Sequence, residues 1–475
     1  MLKNHLIKKF SEHLGFTPTL SQNLLFETFS EYISDQDSKK IFLIKGYAGT
    51  GKTSAISAII KTLDSFKIKC EMLAPTGRAA KVFAGFMKKD AFTIHKKIYR
   101  QTSSKDGFGR FVLNFNKHKD TYFFVDEASM ITNENSDFSI FGSGRLLSDL
   151  FDYVDQGTNC KLIFIGDTAQ LPPVGLSTSP ALDAEVLKSY LKQVIEVQLT
   201  DIVRQTLESG ILSNATNIRK VISQEQIEGK LLNIGDFGDI KFINGTELIE
   251  TLSSIYDKDG IESSIVICRS NKQTNNYNQG IRSKVLYYEE ELVAGDYLMV
   301  VKNNYFWSEK YETEKNGLSF IANGDIFRLK RIKKYEELYG FRFADVTIEL
   351  LDYNEIELDL KIMLNTLSSE TASLSSDDNK KLFYTILEDY SDVKPKKKQY
   401  EQVKTNPYFN ALQVKFSYAV TCHKAQGGQW KNVFIDHGFI KPESLNDIEF
   451  LRWLYTAFTR PQEKLYLVNF NPMFF

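Results

Sequence analysis

A chain of 475 residues is too long for one hydrophobic core and predicts about three domains. Its hydrophobic fraction of 42% and charged fraction of 25% are ordinary for a soluble globular protein, and no apolar run approaches the roughly 18 residues of a membrane span. The net charge of −1 excludes a strong global attraction to nucleic acid, so binding DNA or RNA would require local basic groups or backbone amides.

The cysteines and the N-terminal segment indicate the compartment. The four cysteines are scattered and form no CxxC pair, which predicts reduced thiols rather than a disulfide framework or a zinc site. Residues 1–10 are interrupted by Lys3, Lys8 and Lys9 and lack the apolar core of a secretory signal. We therefore expect a cytoplasmic protein with no membrane association.

Short apolar runs in the first 200 residues predict the strands of a parallel sheet. Each run is followed within two residues by Gly, Pro, Asp or Thr, and helix-like stretches separate the runs, which are 41–44, 70–73, 122–125 and 162–165. Fully apolar short strands between helices are typical of a parallel sheet that is covered on both faces. Ligands of such sheets bind at the carboxyl ends of the strands, so candidate site residues are sought there.

The first strand runs into a phosphate-binding motif. The segment 46–53 reads Gly-Tyr-Ala-Gly-Thr-Gly-Lys-Thr and precedes an apolar helical stretch, 55–63, which is the context that a P-loop requires. Its glycines allow the backbone to wrap phosphates, and amides at the helix start face the anion. We expect Lys52 to contact the β- and γ-phosphates and Thr53 to hold Mg²⁺. The nucleotide-binding residues predicted by this motif are Gly46, Gly49, Thr50, Gly51, Lys52 and Thr53.

The run 122–125 ends in two acids. Asp126 is placed to hold Mg²⁺, and Glu127 is placed to orient or deprotonate the attacking water. An Asp-Glu pair alone is a weak signal, but after an apolar strand and downstream of a P-loop it predicts nucleotide hydrolysis. The two motifs do not reveal what the hydrolysis drives.

The second half of the chain predicts another α/β domain with an insertion. Its apolar runs are 264–268, 415–420, 433–435 and 465–468. Between them, the segment 331–411 has an alternating β pattern at 342–351, a polar stretch at 368–381 and a basic run at 394–398. We interpret this segment as a small inserted β domain with a flexible arm. The basic run could bind phosphates, although a solvated loop is the simpler interpretation.

Further motifs occur in a fixed order along the chain. They are Thr-Leu-Ser-Gln at 19–22, Ala-Pro-Thr-Gly-Arg-Ala-Ala at 74–80, Thr-Ile-His at 93–95, Gly-Asp-Thr-Ala-Gln-Leu-Pro-Pro-Val at 166–174, Leu-Thr at 199–200 with Arg-Gln at 204–205, Tyr-Ala-Val-Thr-Cys-His-Lys-Ala-Gln-Gly at 418–427 and Tyr-Thr-Ala-Phe-Thr-Arg at 455–460. This series resembles the motifs of superfamily 1 helicases, most closely the RecD/Dda-like group. Gly428 departs from the pattern, which often has Ser at that position.

The resemblance implies a fold and an activity. The expected fold is α/β, with two RecA-like P-loop domains that have parallel sheets. A small β-hairpin is expected in the first and a small SH3-like β insertion in the second. The implied bounds are 1–200 for the first domain with the hairpin at 96–120, 201–330 plus 412–475 for the second, and 331–411 for its insertion. The implied activity is an ATP-dependent DNA helicase that moves 5′ to 3′ on single-stranded DNA as a monomer and acts at junctions of single-stranded and duplex DNA.

The resemblance also implies roles for individual residues. Gln22 would read adenine, Gln170 would touch the γ-phosphate, and Arg204 and Arg460 would face the triphosphate from the second domain, together with Gly427 of the 418–427 segment. The residues implied to contact DNA are Pro75, Thr76, Thr93, His95, Thr421 and His423. The stretch between His95 and Asp120 has the pattern of a β-hairpin whose turn, 106–109, would place Phe108 at the fork, with Phe111 and Phe115 on one alternating side.

Three alternatives remain open at this point. The first is an RNA helicase or translocase of the same superfamily. The second is a regulatory P-loop NTPase that is not a motor, against which the 418–427 segment counts. The third is an inactive subunit of a helicase–nuclease complex, although every expected catalytic position is filled in this chain.

Overall fold

The fold was analysed in a computed structural model of the chain. The structure describes residues 2–35, 37–102, 110–134, 142–203, 209–224, 230–235, 237–309, 320–351, 356–441 and 447–475. Arg204 and Phe108 therefore lie outside the described residues. None of the described helices is both long enough and apolar enough to span a bilayer.

The first part of the chain forms a parallel sheet with helices on both faces. Its helices are α1 (Leu2–Leu14), α2 (Leu20–Ser34), α3 (Lys52–Ser65), α4 (Gly77–Met87), α5 (Ile94–Ile98), α6 (Leu146–Gln156) and α7 (Ala184–Ser189). Its strands are β1 (Lys40–Gly46), β2 (Lys69–Ala74), β3 (Ala91–Thr93), β4 (Tyr99–Thr102), β5 (Arg110–Leu113), β6 (Thr121–Val125), β7 (Lys161–Gly166) and β8 (Gln193–Leu199). We call these elements the first domain.

Successive side chains along each strand point to opposite faces of the main sheet, so the first domain has one hydrophobic core on each face. The main sheet has the order β3-β2-β6-β7-β1-β8, and each neighbouring pair is parallel. Phe42 and Ile44 pack on one face with α1, α2 and α3, whereas Ile41 and Leu43 pack on the other face with α5 and α6. The four strands predicted from apolar runs are confirmed as β1, β2, β6 and β7.

The second part of the chain combines a parallel sheet with a barrel. Its helices are α8 (Gly210–Ile222), α9 (Gly245–Asp259), α10 (Asn271–Lys284), α11 (Phe306–Glu309), α12 (Ser376–Glu388), α13 (Lys396–Lys404), α14 (Cys422–Ala425) and α15 (Ile448–Phe458). Its strands are β9 (Ile240–Ile243), β10 (Ser264–Cys268), β11 (Tyr297–Val300), β12 (Ile326–Leu338), β13 (Phe341–Leu350), β14 (Ile356–Met363), β15 (Leu412–Phe416), β16 (Ala419–Thr421), β17 (Trp430–Asp436) and β18 (Pro461–Val468). We call these elements the second domain.

The predicted α/β fold with two parallel sheets, a hairpin and a small inserted barrel is confirmed. The second sheet has the order β16-β10-β17-β18-β9 and is parallel, β11 to β15 close into a barrel, and β4 and β5 form a separate antiparallel pair. The barrel strands run from Tyr297 to Phe416 and so extend beyond the predicted segment 331–411 on both sides.

Two local predictions in the second half are wrong. The run 415–420 was expected to be one strand, but β15 ends at Phe416 in the barrel and β16 starts at Ala419 in the parallel sheet. The side chains on either side of the break are mostly apolar, so the pattern could not reveal the change of sheet. The expected flexible arm contains α12 and α13, whose buried Leu382, Ile386 and Val403 pack on Phe343 and Met363 of the barrel.

Candidate active site

The loop between β1 and α3 forms a phosphate cradle. Gly49 and Gly51 have φ of 76° and 72°, a left-handed conformation that favours glycine. A Cβ on Gly46 would lie 2.7 Å from Cγ of Lys52, and one on Gly51 would lie 2.5 Å from Nε2 of Gln22. Gly51 is the N-cap of α3 and has no side chain to occupy the amides of the first turn. The cradle therefore fits the phosphates of a nucleotide.

Lys52 and Thr50 are held against this loop. The Lys52 ammonium donates to the carbonyl oxygens of Gly46 (2.7 Å) and Tyr47 (3.2 Å). The buried Thr50 hydroxyl donates to the carbonyl of Tyr47 at 2.8 Å. Thr53 follows Lys52 in the first turn of α3. The predicted nucleotide-binding residues of the motif are thus together in one loop and one helix start.

Gln22 lies directly beside the loop. It is fully buried, its side-chain oxygen accepts from the backbone N–H of Thr19 (3.1 Å), and its Nε2 donates to the carbonyl of Thr50 (3.2 Å). These two bonds leave one N–H and one lone pair of the amide for another partner. Recognition of adenine by Gln22 stays a prediction, but its position next to the P-loop agrees with it.

The two acids lie at the carboxyl end of β6. Asp126 donates its backbone N–H to the carbonyl of Leu73 (2.9 Å), and Glu127 adopts a left-handed φ of 50° that is uncommon for a residue with a side chain. Such conformations cost about 1–3 kcal/mol and cluster at functional sites. Burial, followed by the negative charge of Glu127, raises the pKa of Asp126 to about 7, although Lys52 and Arg460 act in the opposite direction.

Gln170 has an unused polar atom in the same region. It follows β7, its side chain is 7% exposed, and its Oε1 is buried with no hydrogen-bond partner among the described residues. A buried amide oxygen without a partner costs about 1–3 kcal/mol. The contact of Gln170 with the γ-phosphate stays a prediction, in which the side-chain NH2 would be the donor, since phosphate oxygens accept hydrogen bonds.

Arg460 reaches the acids from the second domain. Its guanidinium is 3% exposed, donates to the Thr459 hydroxyl (2.8 Å) and the Gly428 carbonyl (3.3 Å), and lies 3.8 Å from a Glu127 carboxylate oxygen. As predicted, Arg460 of the second domain lies next to Glu127, a predicted hydrolysis residue of the first domain.

Three residues that the sequence did not single out line the same cleft. The Arg219 guanidinium lies 4.5 Å from the centre of the Tyr47 ring, whose hydroxyl accepts from Gln198 (2.9 Å). Tyr455 reaches the P-loop, where its hydroxyl accepts from the backbone N–H of Ala48 (2.8 Å). Tyr455 opens the 455–460 motif, and Tyr47 lies within the P-loop, so both carried a sequence signal; Arg219 on α8 carried none.

The predicted DNA contacts fall at starts of helices. Thr76 caps α4 by accepting from the Ala79 amide (3.2 Å), and Thr93 caps α5 by accepting from the Lys96 amide (3.1 Å). Each hydroxyl keeps its proton for another acceptor, such as a phosphate oxygen. Pro75 immediately precedes Thr76, in the turn between β2 and α4.

Gly427 and Gly428 bring the second domain to the Thr76 loop. Gly427 has a φ of 73°, and a Cβ there would lie 2.7 Å from Cβ of Ala79 and 3.3 Å from the Thr76 hydroxyl. Gly427 was predicted to bind nucleotide. Its nearest neighbours are instead Ala79 and Thr76 at the start of α4, where DNA contacts are predicted. A Cβ on Gly428 would lie 2.6 Å from Nε of Arg78, which stacks 3.9 Å over Trp430, so this position has no room for the Ser of related motifs.

The remaining predicted DNA residues differ in exposure. Burial lowers the pKa of His95 to about 4, so its imidazole is neutral at physiological pH, and its ring centre lies 5.7 Å from that of Tyr99. Thr421 ends β16, and His423 on α14 is exposed. Lys424, which the sequence did not single out, donates to the Asn323 side chain, and burial lowers its pKa to about 8.

The β4–β5 hairpin is confirmed as an antiparallel pair. Phe111 is buried and packs at 4.6 Å between ring centres on Tyr305 of the second domain, near Phe320. Phe115 lies beyond the end of β5 and is 65% exposed. The prediction that Phe111 and Phe115 lie on one alternating side of the hairpin is therefore wrong, because β5 ends at Leu113. Phe108 and its turn lie outside the described residues.

A P-loop domain whose hydrolysis residues meet an arginine from a second parallel α/β domain is a nucleotide hydrolase that works between two domains. Comparison with known families agrees with this class. The family described as AAA domain matches residues 34–236, and the UvrD-like helicase C-terminal domain matches residues 416–468.

Relatives match along nearly the whole chain. They include the uncharacterized protein R530 of Acanthamoeba polyphaga mimivirus (23% identity, 94% of this chain and 98% of the relative) and the ATP-dependent DNA helicase Dda of Enterobacteria phage T4 (25% identity, 91% and 95%). The RecBCD enzyme subunit RecD of Buchnera aphidicola is 22% identical over 91% of this chain and 71% of its own length. The chain is therefore similar, along nearly its whole length, to superfamily 1 helicases of the RecD/Dda-like group.

Proposed function

We propose that this protein is an ATP-dependent DNA helicase that translocates 5′ to 3′ on single-stranded DNA and separates duplex strands. The observation that carries the proposal is the Arg460 guanidinium, which reaches across the domain boundary to within 3.8 Å of Glu127. An arginine supplied from a second domain makes hydrolysis depend on domain closure, as a motor requires. The relatedness to Dda, named as an ATP-dependent DNA helicase, supports DNA as the substrate.

The chain's own residues divide the hydrolysis between them. Lys52 and the first-turn amides of α3 bind the β- and γ-phosphates, Glu127 accepts the proton of the attacking water, and Gln170 orients that water or the γ-phosphate. Thr53 and Asp126 would hold Mg²⁺, which supplies positive charge to the phosphate oxygens when bound. Arg460, together with Arg204, stabilises the charge that develops during transfer.

The DNA strand would run over the helix starts near Gly427. Thr76 and Thr93 come from the first domain and Thr421 and His423 from the second, with Pro75 and His95 beside them. Because Gly427 packs on the Thr76 loop, opening and closing of the cleft changes the spacing of the two sets of contacts. A step of one base pair costs roughly 1.4 kcal/mol in lost stacking, which one ATP can supply.

We further propose that the hairpin at 96–120 separates the strands, with Phe108 at the fork. The packing of Phe111 on Tyr305 supports a rigid hairpin, since it braces the turn-side end of β5 against the second domain. If Phe108 is the wedge, Phe108→Ala should reduce the number of base pairs opened per ATP while leaving ATPase activity on single-stranded DNA unchanged. Unchanged unwinding per ATP would reject this role.

We propose the domain bounds 1–200, 201–330 with 412–475, and 331–411 for the inserted segment, whose barrel also takes in strands from Tyr297 to Phe416. We propose that the protein acts as a monomer, with single-stranded DNA and junctions of single-stranded and duplex DNA as its partners.

An unwinding assay tests the proposal. Duplexes with a 5′ tail, a 3′ tail or no tail are incubated with the wild-type chain and with Lys52→Ala as the matched control. We expect ATP-dependent unwinding of the 5′-tailed duplex only, and none with the variant. Unwinding only from the 3′ tail would reverse the proposed direction. ATPase stimulation by single-stranded RNA but not by DNA would replace DNA with RNA as the track.

A further inference from the structure

One face of α15 contacts the first domain. Three polar side chains at i, i+3 and i+4 spacing lie on this face, as expected for neighbours on a helix surface. Arg452 donates to the Ser177 carbonyl (2.5 Å), and the Thr456 hydroxyl accepts from the Leu171 backbone N–H (2.8 Å). Tyr455, the third, lies between them and makes two contacts.

The Tyr455 hydroxyl connects two separate parts of the first domain. It accepts from the backbone N–H of Ala48 in the P-loop (2.8 Å) and donates to a carboxylate oxygen of Asp167 (2.7 Å). The side chains of Tyr455 and Asp167 are each 1% exposed, and the other Asp167 oxygen accepts from the Ala169 amide (2.9 Å). Burial raises the pKa of Tyr455 well above its usual range, so the phenol stays neutral and can donate.

We propose that Tyr455 is a positioning residue that sets the P-loop and the Gln170 loop according to the placement of the second domain. This inference rests on the proposed ATP hydrolysis at the same cleft. Ala48 lies between Gly46 and Gly49 of the phosphate cradle, and Asp167 precedes Gln170 by three residues. Arg460 follows Tyr455 by five residues and lies two residues past the end of the same helix. Helix α15 therefore positions Arg460 and, through Tyr455, contacts both the P-loop and the loop that carries Gln170.

Removing only the hydroxyl isolates this role. Tyr455→Phe keeps the ring in its buried position but leaves the Ala48 N–H and the Asp167 carboxylate each without one partner. A lost hydrogen bond to a buried charged group corresponds to about a tenfold or larger change in rate. We expect kcat of the DNA-stimulated ATPase to fall about tenfold, whereas KM for ATP changes less than about twofold, since Lys52 and the glycines still bind the phosphates.

Two measurements on the full-length protein test the contact and its consequence. Steady-state ATPase gives kcat and KM for Tyr455→Phe, Asp167→Ala and the double variant. Residue-resolved hydrogen exchange follows the Ala48 amide. Tyr466→Phe is the matched control, because this tyrosine is in the same domain and packs on Phe434 away from the cleft (4.5 Å between ring centres). If the two groups act as a unit, the double variant loses no more than the worse single variant.

The expected result is faster exchange at Ala48 and a lower kcat in Tyr455→Phe, with neither change in Tyr466→Phe. A kcat for Tyr455→Phe within twofold of wild type would overturn the proposal, as would losses that multiply in the double variant. A wild-type chain that hydrolyses ATP but opens no duplex would refute the helicase and leave this inference standing. A wild-type chain without ATPase activity would refute both.

Discussion

The two parallel sheets have the same strand order but different loops. The first runs β3-β2-β6-β7-β1 with β8 added at the edge, and the second runs β16-β10-β17-β18-β9. Taken in chain order, β1 corresponds to β9, β2 to β10, β3 to β16, β6 to β17 and β7 to β18. Two domains of this chain therefore share one topology although only one of them carries a P-loop.

The two domains differ in the corner between their first strand and the helix that follows it, β1–α3 in the first domain and β9–α9 in the second. In the first domain, five residues separate β1 from α3, and Gly51 leaves the helix start open. In the second domain only Asn244 separates β9 from α9. Its side chain accepts from the amides of Thr246 (2.9 Å) and Glu247 (3.0 Å), and the Glu247 carboxylate accepts from the Asn244 amide (2.8 Å). A helix start that is capped by its own carboxylate cannot attract a phosphate.

This contrast shows that chemistry in a doubly wound sheet depends on the loops at the strand ends rather than on the sheet. The first domain carries the P-loop and the acids Asp126 and Glu127. The second uses the equivalent framework to present Arg460 and Tyr455 to the first, and it accommodates the barrel between α10 and β16.

The largest expected effect would come from removing Arg460, which the second domain places beside Glu127. Arg460→Ala should lower the DNA-stimulated kcat by about 10³- to 10⁵-fold, because the developing phosphoryl charge loses its partner, while nucleotide still binds. Single-turnover hydrolysis and binding of a fluorescent ATP analogue measure the two quantities. Loss of nucleotide binding would instead indicate that Arg460 mainly holds the structure together through Gly428 and Thr459.

A somewhat smaller loss is expected from the first domain's base. Glu127→Gln should reduce turnover by about 10²- to 10⁴-fold, because the amide cannot accept the proton from water. ATP should bind at least as tightly as in wild type, since the variant removes a negative charge beside the phosphates. Full turnover by this variant, measured by phosphate release, would remove Glu127 as the base.

DNA binding by the second domain, if it runs over α14 as proposed, should respond to pH through Lys424. Burial lowers the pKa of this amine to about 8, so it is charged at pH 7 and mostly neutral at pH 9. If it contacts a phosphate, affinity for single-stranded DNA should fall about tenfold between these values. Lys424→Arg should abolish the response, since arginine stays charged. An equal response in the variant would assign the effect to another group, of which Lys415, whose pKa burial also lowers to about 8, is the first candidate.

The smallest effect is expected from a substitution in the β9–α9 corner, which has no P-loop. Asn244→Ala should reduce the free energy of unfolding of the second domain by about 1 kcal/mol through the lost cap, without changing ATPase activity. Urea unfolding, followed alongside turnover, would show this. A more than twofold fall in kcat would mean that the β9–α9 corner takes part in the nucleotide cycle.

Some of these features could be predicted from residues that are adjacent in the chain. The P-loop and the acids Asp126 and Glu127 were placed correctly at strand ends, because each is built from consecutive residues whose pattern also sets the local backbone. The β4–β5 hairpin was also found, since the pairing of adjacent strands is local. The boundaries of the barrel were not found, because nothing in the apolar run 415–420 marks the point where the chain leaves one sheet for another.

The sequence by itself determined that this chain has the glycine-rich loop, open helix start and lysine of a P-loop, since eight consecutive residues from Gly46 to Thr53 contain the whole motif. The resemblance implied Arg460, but only the tertiary structure decided that Tyr455 and Arg219 of the second domain also reach that loop. Tyr455 and Asp167 are 288 positions apart, and Arg219 meets Tyr47 only because α8 lies against the P-loop. Such contacts depend on how two sheets pack together, and no periodicity along the chain carries that information.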